Sequence, residues 1–68
     1  MPVTGEQLVG LLRQRGCVVV RQRGSHVRVR CGRCSTTVPV HTGEELPRGT
    51  LAQIRRDLAP CLGKNVLR

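Results

Sequence analysis

No phenylalanine, tyrosine or tryptophan occurs anywhere in the 68 residues. Modules that grip single-stranded bases by stacking them on aromatic platforms are poor candidates for such a chain, and any stacking against a base falls to arginine or histidine. Carboxylates are scarce as well, four against twelve basic side chains, which leaves a formal net charge of +8 and a sequence pI of about 11.4. Long apolar runs are missing: the longest, Cys17 to Val20, falls far short of the about 20 residues that a membrane span requires, and no basic segment followed by an apolar stretch opens the sequence. The expectation is a soluble cytoplasmic protein with no membrane partner. Size adds a further exclusion. A domain of roughly 55 to 65 residues buries only about 60% of its unfolded surface, so a deep interdomain cleft is out of reach and any chemistry sits on a surface.

What is present suffices to fold. Leu, Val and Ile exceed the roughly 20% below which highly charged chains stay disordered. Eleven of the twelve basic residues are arginine, whose guanidinium fork matches phosphate oxygens bidentately. That points to a polyanionic partner, nucleic acid first and an acidic protein second. Charge kept only for solubility is the third reading, and such surfaces usually mix both signs.

Along the chain, Thr4 and Gln7 have capping-box spacing ahead of Leu8, Leu11 and Leu12, which predicts a first helix closed by Gly16. A first strand over Cys17 to Gln22 follows, with Arg23 and Gly24 as the turn. From Ser25 to Cys31 the alternation is faultless: Val27, Val29 and Cys31 point one way, His26, Arg28 and Arg30 the other. Gly32 and Arg33 form a two-residue connection of the type II′ preference into a third strand, Ser35 to Val40, whose Pro39 marks an edge. Counting back from that turn pairs Cys31 with Cys34, Val29 with Thr36 and Val27 with Val38 on the buried face, and sets His26 opposite Pro39 on the exposed one. After a polar link from His41 to Glu45, a second capping box at Thr50 and Gln53 predicts a helix with Leu51, Ile54 and Leu58 on one stripe, closed by Pro60. The expected architecture is α+β: α-β-β-β-α, a three-stranded antiparallel sheet with two helices on one face and the other face open. One domain over residues 1–62 and a frayed tail over 63–68 complete it.

The segments Arg21-Gln22-Arg23-Gly24-Ser25-His26, Thr37-Val38-Pro39-Val40-His41 and Pro47-Arg48-Gly49-Thr50-Leu51 resemble the HicA family of toxin ribonucleases. The resemblance spans Thr4 to about Leu62, and its most specific part is the Gly24-Ser25-His26 element. It implies a fold like that of double-stranded-RNA-binding domains, cleavage of messenger RNA without a required metal, and a cognate HicB antitoxin that covers the active site. The family's catalytic histidine falls on His26. The chain departs from the family pattern at Cys17, where a bulky aromatic is frequent, at Val27, where a second histidine is frequent, and at the hairpin tip Cys31-Gly32-Arg33-Cys34.

RNA carries its own nucleophile, so one base to deprotonate the 2′-hydroxyl and cations to stabilise the phosphate's growing charge are enough for cleavage. Histidine changes charge nearest neutral pH and suits that role. His26 is therefore the expected catalytic residue, flanked by Arg28 and, across the hairpin, by Arg21. His41 and Ser25 are possible auxiliaries: parity puts His41 on the same face, diagonally beside His26 if the third strand keeps its register, while the plainer role for His41 is to order the following loop. Arg21, Arg23, Gly24, Arg28, Arg30 and Arg48 are the expected RNA contacts, and Arg55 and Arg56 a solvated helix face. The main rival is an RNA-binding module of the same topology that does not cut. Cys31 and Cys34 supply half of a zinc site, but alternation turns Cys17 and His41 to the opposite face. A disulfide across the hairpin is geometrically demanding and disulfides are rare in the cytosol, so free, partly buried thiols are expected, with no metal and no cofactor.

Overall fold

The computed structural model of the protein describes residues 3–63. Its elements are α1 (Gly5–Gln14), β1 (Val18–Arg23), β2 (His26–Cys31), β3 (Cys34–Pro39) and α2 (Arg48–Leu62), in the expected α-β-β-β-α order. The strands form one antiparallel sheet in the order β1-β2-β3.

Local chemistry starts and stops α1 where the sequence indicates. The Thr4 hydroxyl accepts from the Gln7 amide at 3.1 Å while the Gln7 side chain accepts from the Thr4 amide at 2.9 Å, a complete capping box. At the other end Gly16, with φ +91°, lets its own N–H reach Arg13 O and that of Cys17 reach Leu12 O, both at 3.0 Å. This is a Schellman closure, and the residues at its two apolar positions, Leu12 and Cys17, are both buried in the core.

Between β2 and β3 the register is the expected one throughout: Cys31 opposite Cys34, Val29 opposite Thr36, Val27 opposite Val38 and His26 opposite Pro39. The turn chemistry also holds, since Gly32 has φ +63° and Arg33 does not enter positive φ. Val27, Val29, Cys31, Thr36 and Val38 are buried against Leu8 and Leu12 of α1 and Ile54 and Leu58 of α2, so both helices cover one face. Each such fully buried aliphatic side chain contributes about 1.5–3 kcal/mol. A polar tie crosses the same layer: the buried Thr36 hydroxyl donates to Asp57 Oδ2 at 2.9 Å.

β1 departs from expectation. The turn is Gly24-Ser25, not Arg23-Gly24, so Arg23 lies opposite His26; a bulge between Val19 and Arg21 then shifts the register, leaving Arg21 opposite Arg28 and Val19 opposite Val29. A bulge adds one residue and so reverses which face the preceding residues occupy. It swings Cys17 onto the core face, where it is buried.

The cysteines are accordingly corrected. They are not free thiols and not a Cys31–Cys34 pair; Cys17 bonds Cys31 and Cys34 bonds Cys61, with Cα separations of 4.3 and 6.1 Å. One disulfide ties the start of β1 to the end of β2, and the other ties the start of β3 to the last turn of α2.

α2 also differs at both ends. The second capping box does not form, because the helix begins two residues before Thr50 with Pro47 at its cap and no side-chain bond to the first amides; proline's fixed φ suits a helix start. Pro60 does not close α2. It lies within the last turn, its missing N–H forfeits a single bond, and Gly63 N still reaches Ala59 O at 2.8 Å. Apart from Gly63, the expected tail lies outside the described residues.

Candidate nucleic-acid interface

The face of the sheet turned away from the helices carries His26, Arg28 and Arg30 from β2, Arg21 and Arg23 from β1, and Ser35, Thr37 and Pro39 from β3, as cross-strand pairing dictates. His26, Arg21, Arg23 and Arg30 are exposed and Arg28 is half-buried. His26 sits directly opposite Arg23 on one side and Pro39 on the other; Arg21 stands one step away, opposite Arg28. The expected neighbour across the hairpin is thus replaced by Arg23.

None of the four Asp and Glu residues is on a strand of this sheet. Glu6 is on α1, Glu44 and Glu45 are in the loop before α2, and Asp57 is on α2 bonded to Thr36 and Gln53. The arginines therefore act together without an internal counter-charge, which concentrates positive potential on one flat surface.

Gly24 and Ser25 shape the end of the sheet where His26 begins. Gly24 has φ +56°, the conformation required of the first central residue in this two-residue turn, and its carbonyl accepts from Gln22 Nε2 at 3.1 Å. The Ser25 carbonyl accepts from the Val40 amide at 2.6 Å, fastening the turn to the chain just beyond β3.

Two expected residues stand apart. β3 ends at Pro39, so His41 does not continue the strand; its carbonyl accepts from Glu44 N at 2.9 Å and opens the turn that follows. Arg48 is the first residue of α2 and lines a separate groove with Val3, Glu45, Leu46, Pro47, Leu51 and Arg55. Arg56 is exposed as expected and donates to Gln53 Oε1 at 2.8 Å, but Arg55 is half-buried, with its Nε shielded from solvent and lacking a hydrogen-bond partner among the described residues.

Sequence reasoning misses two polar residues of this face. Arg28 Nη1 donates to Thr37 Oγ1 at 3.0 Å and Nη2 to Ser35 Oγ at 2.7 Å. The signal for both is present, because the β2–β3 register puts Thr37 directly opposite Arg28 and Ser35 on its diagonal.

The model of a family described as HicA toxin of bacterial toxin-antitoxin matches residues 5–59. The chain belongs to the HicA toxin family. The match runs from the first residue of α1 almost to the end of α2, so it takes in the whole open face. No curated protein and no solved structure matches the chain. Membership of the HicA family makes this the toxin side of a toxin–antitoxin pair and implies an antitoxin as its partner. Among the described residues no helix is long and apolar enough to cross a membrane.

Proposed function

We propose that this HicA-family chain is an endoribonuclease that cleaves messenger RNA with His26 as its general base, needs no metal for the step, and is silenced by a HicB-type antitoxin covering the open face. The observation that carries the reading is an exposed histidine among arginines on a sheet whose strands carry no carboxylate. His26 takes the proton of a ribose 2′-hydroxyl, the 2′-oxygen attacks the adjacent phosphorus, and the bond to the 5′-oxygen breaks. A 2′,3′-cyclic phosphate remains on one fragment, and the departing oxygen takes a proton from water. Guanidinium groups stabilise the charge gathered on the phosphoryl oxygens. An antitoxin that offers carboxylates to the same arginines would shut the site by occupying it.

The test is cleavage of a long single-stranded RNA by the wild type and by His26→Ala in excess chelator, with circular dichroism reporting the fold. The wild type is expected to cut. His26→Ala is expected to lose about 10²–10⁴-fold in rate, the usual worth of a positioned general base, while staying folded because the side chain is exposed. His41→Ala should lose far less; equal total loss in both folded variants would replace the single base with a pair of histidines. Tight binding of RNA with no cutting by the wild type would leave an RNA-binding module on the same arginine face.

A further inference from the structure

Resting on that ribonuclease reading, we infer that Arg28, Ser35 and Thr37 form a phosphate-binding cradle, and that it holds the phosphate next to the one being cut. The open-face arginines are not equivalent. Arg21, Arg23 and Arg30 are exposed, whereas Arg28 is half-buried and drawn across β3 by bonds of 3.0 and 2.7 Å to two hydroxyls. A guanidinium has five N–H donors in one plane, so using two leaves three to offer. Each hydroxyl that accepts from the cation must turn its own proton away from it. Ser35 and Thr37 therefore contribute two more donors, and no strand of the sheet carries a carboxylate to take them. A fixed cation ringed by donors, lacking acceptors, fits a phosphodiester, whose oxygens only accept. Because the guanidinium is already held, little side-chain freedom is lost when an anion arrives.

Position decides which phosphate it takes. His26 and Arg28 are two residues apart on β2, about 6.6 Å at the usual rise. Ser35 lies opposite Arg30, so the Arg28 head group is pulled further from His26. With the head group drawn that way, the cradle falls beside the position of the phosphate at His26, where the next phosphate of an RNA strand would lie. The cradle thus sets the strand's register against His26 and binds ground state and transition state alike, which acts on KM and not on kcat.

The decisive variants are Ser35→Ala combined with Thr37→Val, which keeps every charge, and Arg28→Lys, which keeps the charge but loses the planar fork. Steady-state cleavage of a single-stranded RNA should show KM raised about tenfold in each, the scale of one hydrogen bond to a charged group, with kcat held within about twofold and an unchanged melting temperature. In the wild type, titration with inorganic phosphate should shift the NMR signal of the Arg28 Nε–H and leave that of Arg23 in place. Unchanged KM overturns the cradle, as does a lower melting temperature at unchanged KM, which marks a structural strut. A fall in kcat accompanying the raised KM overturns the adjacent-phosphate assignment. Should the wild type fail to cut any RNA, the ribonuclease reading falls; the cradle then stands or falls on the phosphate titration and on the affinity of the double variant for a 2′-O-methyl RNA.

Discussion

β1 and β3 flank the same central strand and each has six residues, yet they are held in different ways. β3 lies under α2, with Thr36 and Val38 fully buried, a buried hydroxyl bonded to Asp57, and a disulfide from Cys34 to Cys61. In β1 every residue is exposed, including Val18, Val19 and Val20 at 46%, 37% and 47%. Its attachments are the bulged ladder to β2 and the Cys17–Cys31 disulfide at its base. The contrast separates two tasks: β3 joins the sheet to the helical layer, while β1 extends the open face and brings Arg21 and Arg23 onto it. A small domain with nine buried apolar residues among those described has little core to spare for a third covered strand, and covalent links stand in for packing.

Removing the links tests this most strongly. In the chain-entropy view, opening the Cys34–Cys61 bond with alanines, at a sequence separation of 27, costs about 3.5 kcal/mol, and opening Cys17–Cys31, at a separation of 14, about 3 kcal/mol. Those values are nearly equal in denaturant titrations but should differ in hydrogen exchange. Loss of Cys17–Cys31 is expected to release the β1 amides selectively, whereas loss of Cys34–Cys61 loosens α2 and the core with it. Full protection of β1 without its disulfide would show that the ladder alone secures the strand, and the contrast with β3 would weaken.

The next effect belongs to the seam between α1 and β3. A Cβ built on Gly5 would collide with the Pro39 carbonyl oxygen and crowd Val40 Cα. Gly5→Ala is expected to push α1 off the end of β3 and cost about 1–3 kcal/mol, despite alanine's better helix propensity. Gly10, with open space around it, is the control: Gly10→Ala should stabilise by about 0.5–1 kcal/mol. Equal responses by thermal melting would mean that the two elements do not meet closely. Thr36→Val comes next, at about 1–2 kcal/mol, since it deprives the half-buried Asp57 of its donor from β3. No comparable substitution exists in β1, where no side chain is buried.

The same division explains how far the fold can be read without the structure. In β2 and β3 apolar residues alternate cleanly around a glycine-led two-residue turn, and each feature fixes the register independently; both agree. Val18, Val19 and Val20 carry no such information, because three valines in a row name no face. The bulge there shifts the face of Cys17, and with it the cysteine pairing, through a single extra residue. The open face is legible through the parity of His26, Arg28 and Arg30. The hydroxyls that hold Arg28 are legible only one step later, since a serine and a threonine in a strand read as ordinary surface until the register sets Thr37 opposite Arg28 and Ser35 on its diagonal. At α2 the proline at Pro47 outweighs the Thr50 signal, and Pro60 sits too near the helix end to stop it.

The smallest expected effect bears on the open face itself. If β1 serves the surface electrostatically and not structurally, Arg21→Gln and Arg23→Gln should each leave the melting temperature almost unchanged, as exposed substitutions do. Each should instead lower the dependence of RNA affinity on salt by about 0.7 of a log unit per log unit, the signature of one single-strand phosphate left without its neutralising cation. Arg28 provides the opposite case. Its replacement by lysine should preserve that slope while weakening binding, because the charge remains and the geometry fixed by Ser35 and Thr37 does not. Unchanged slope and unchanged affinity for Arg28→Lys would make the face a uniform field of charge, with no distinction between the arginines of a free strand and the one held across β3.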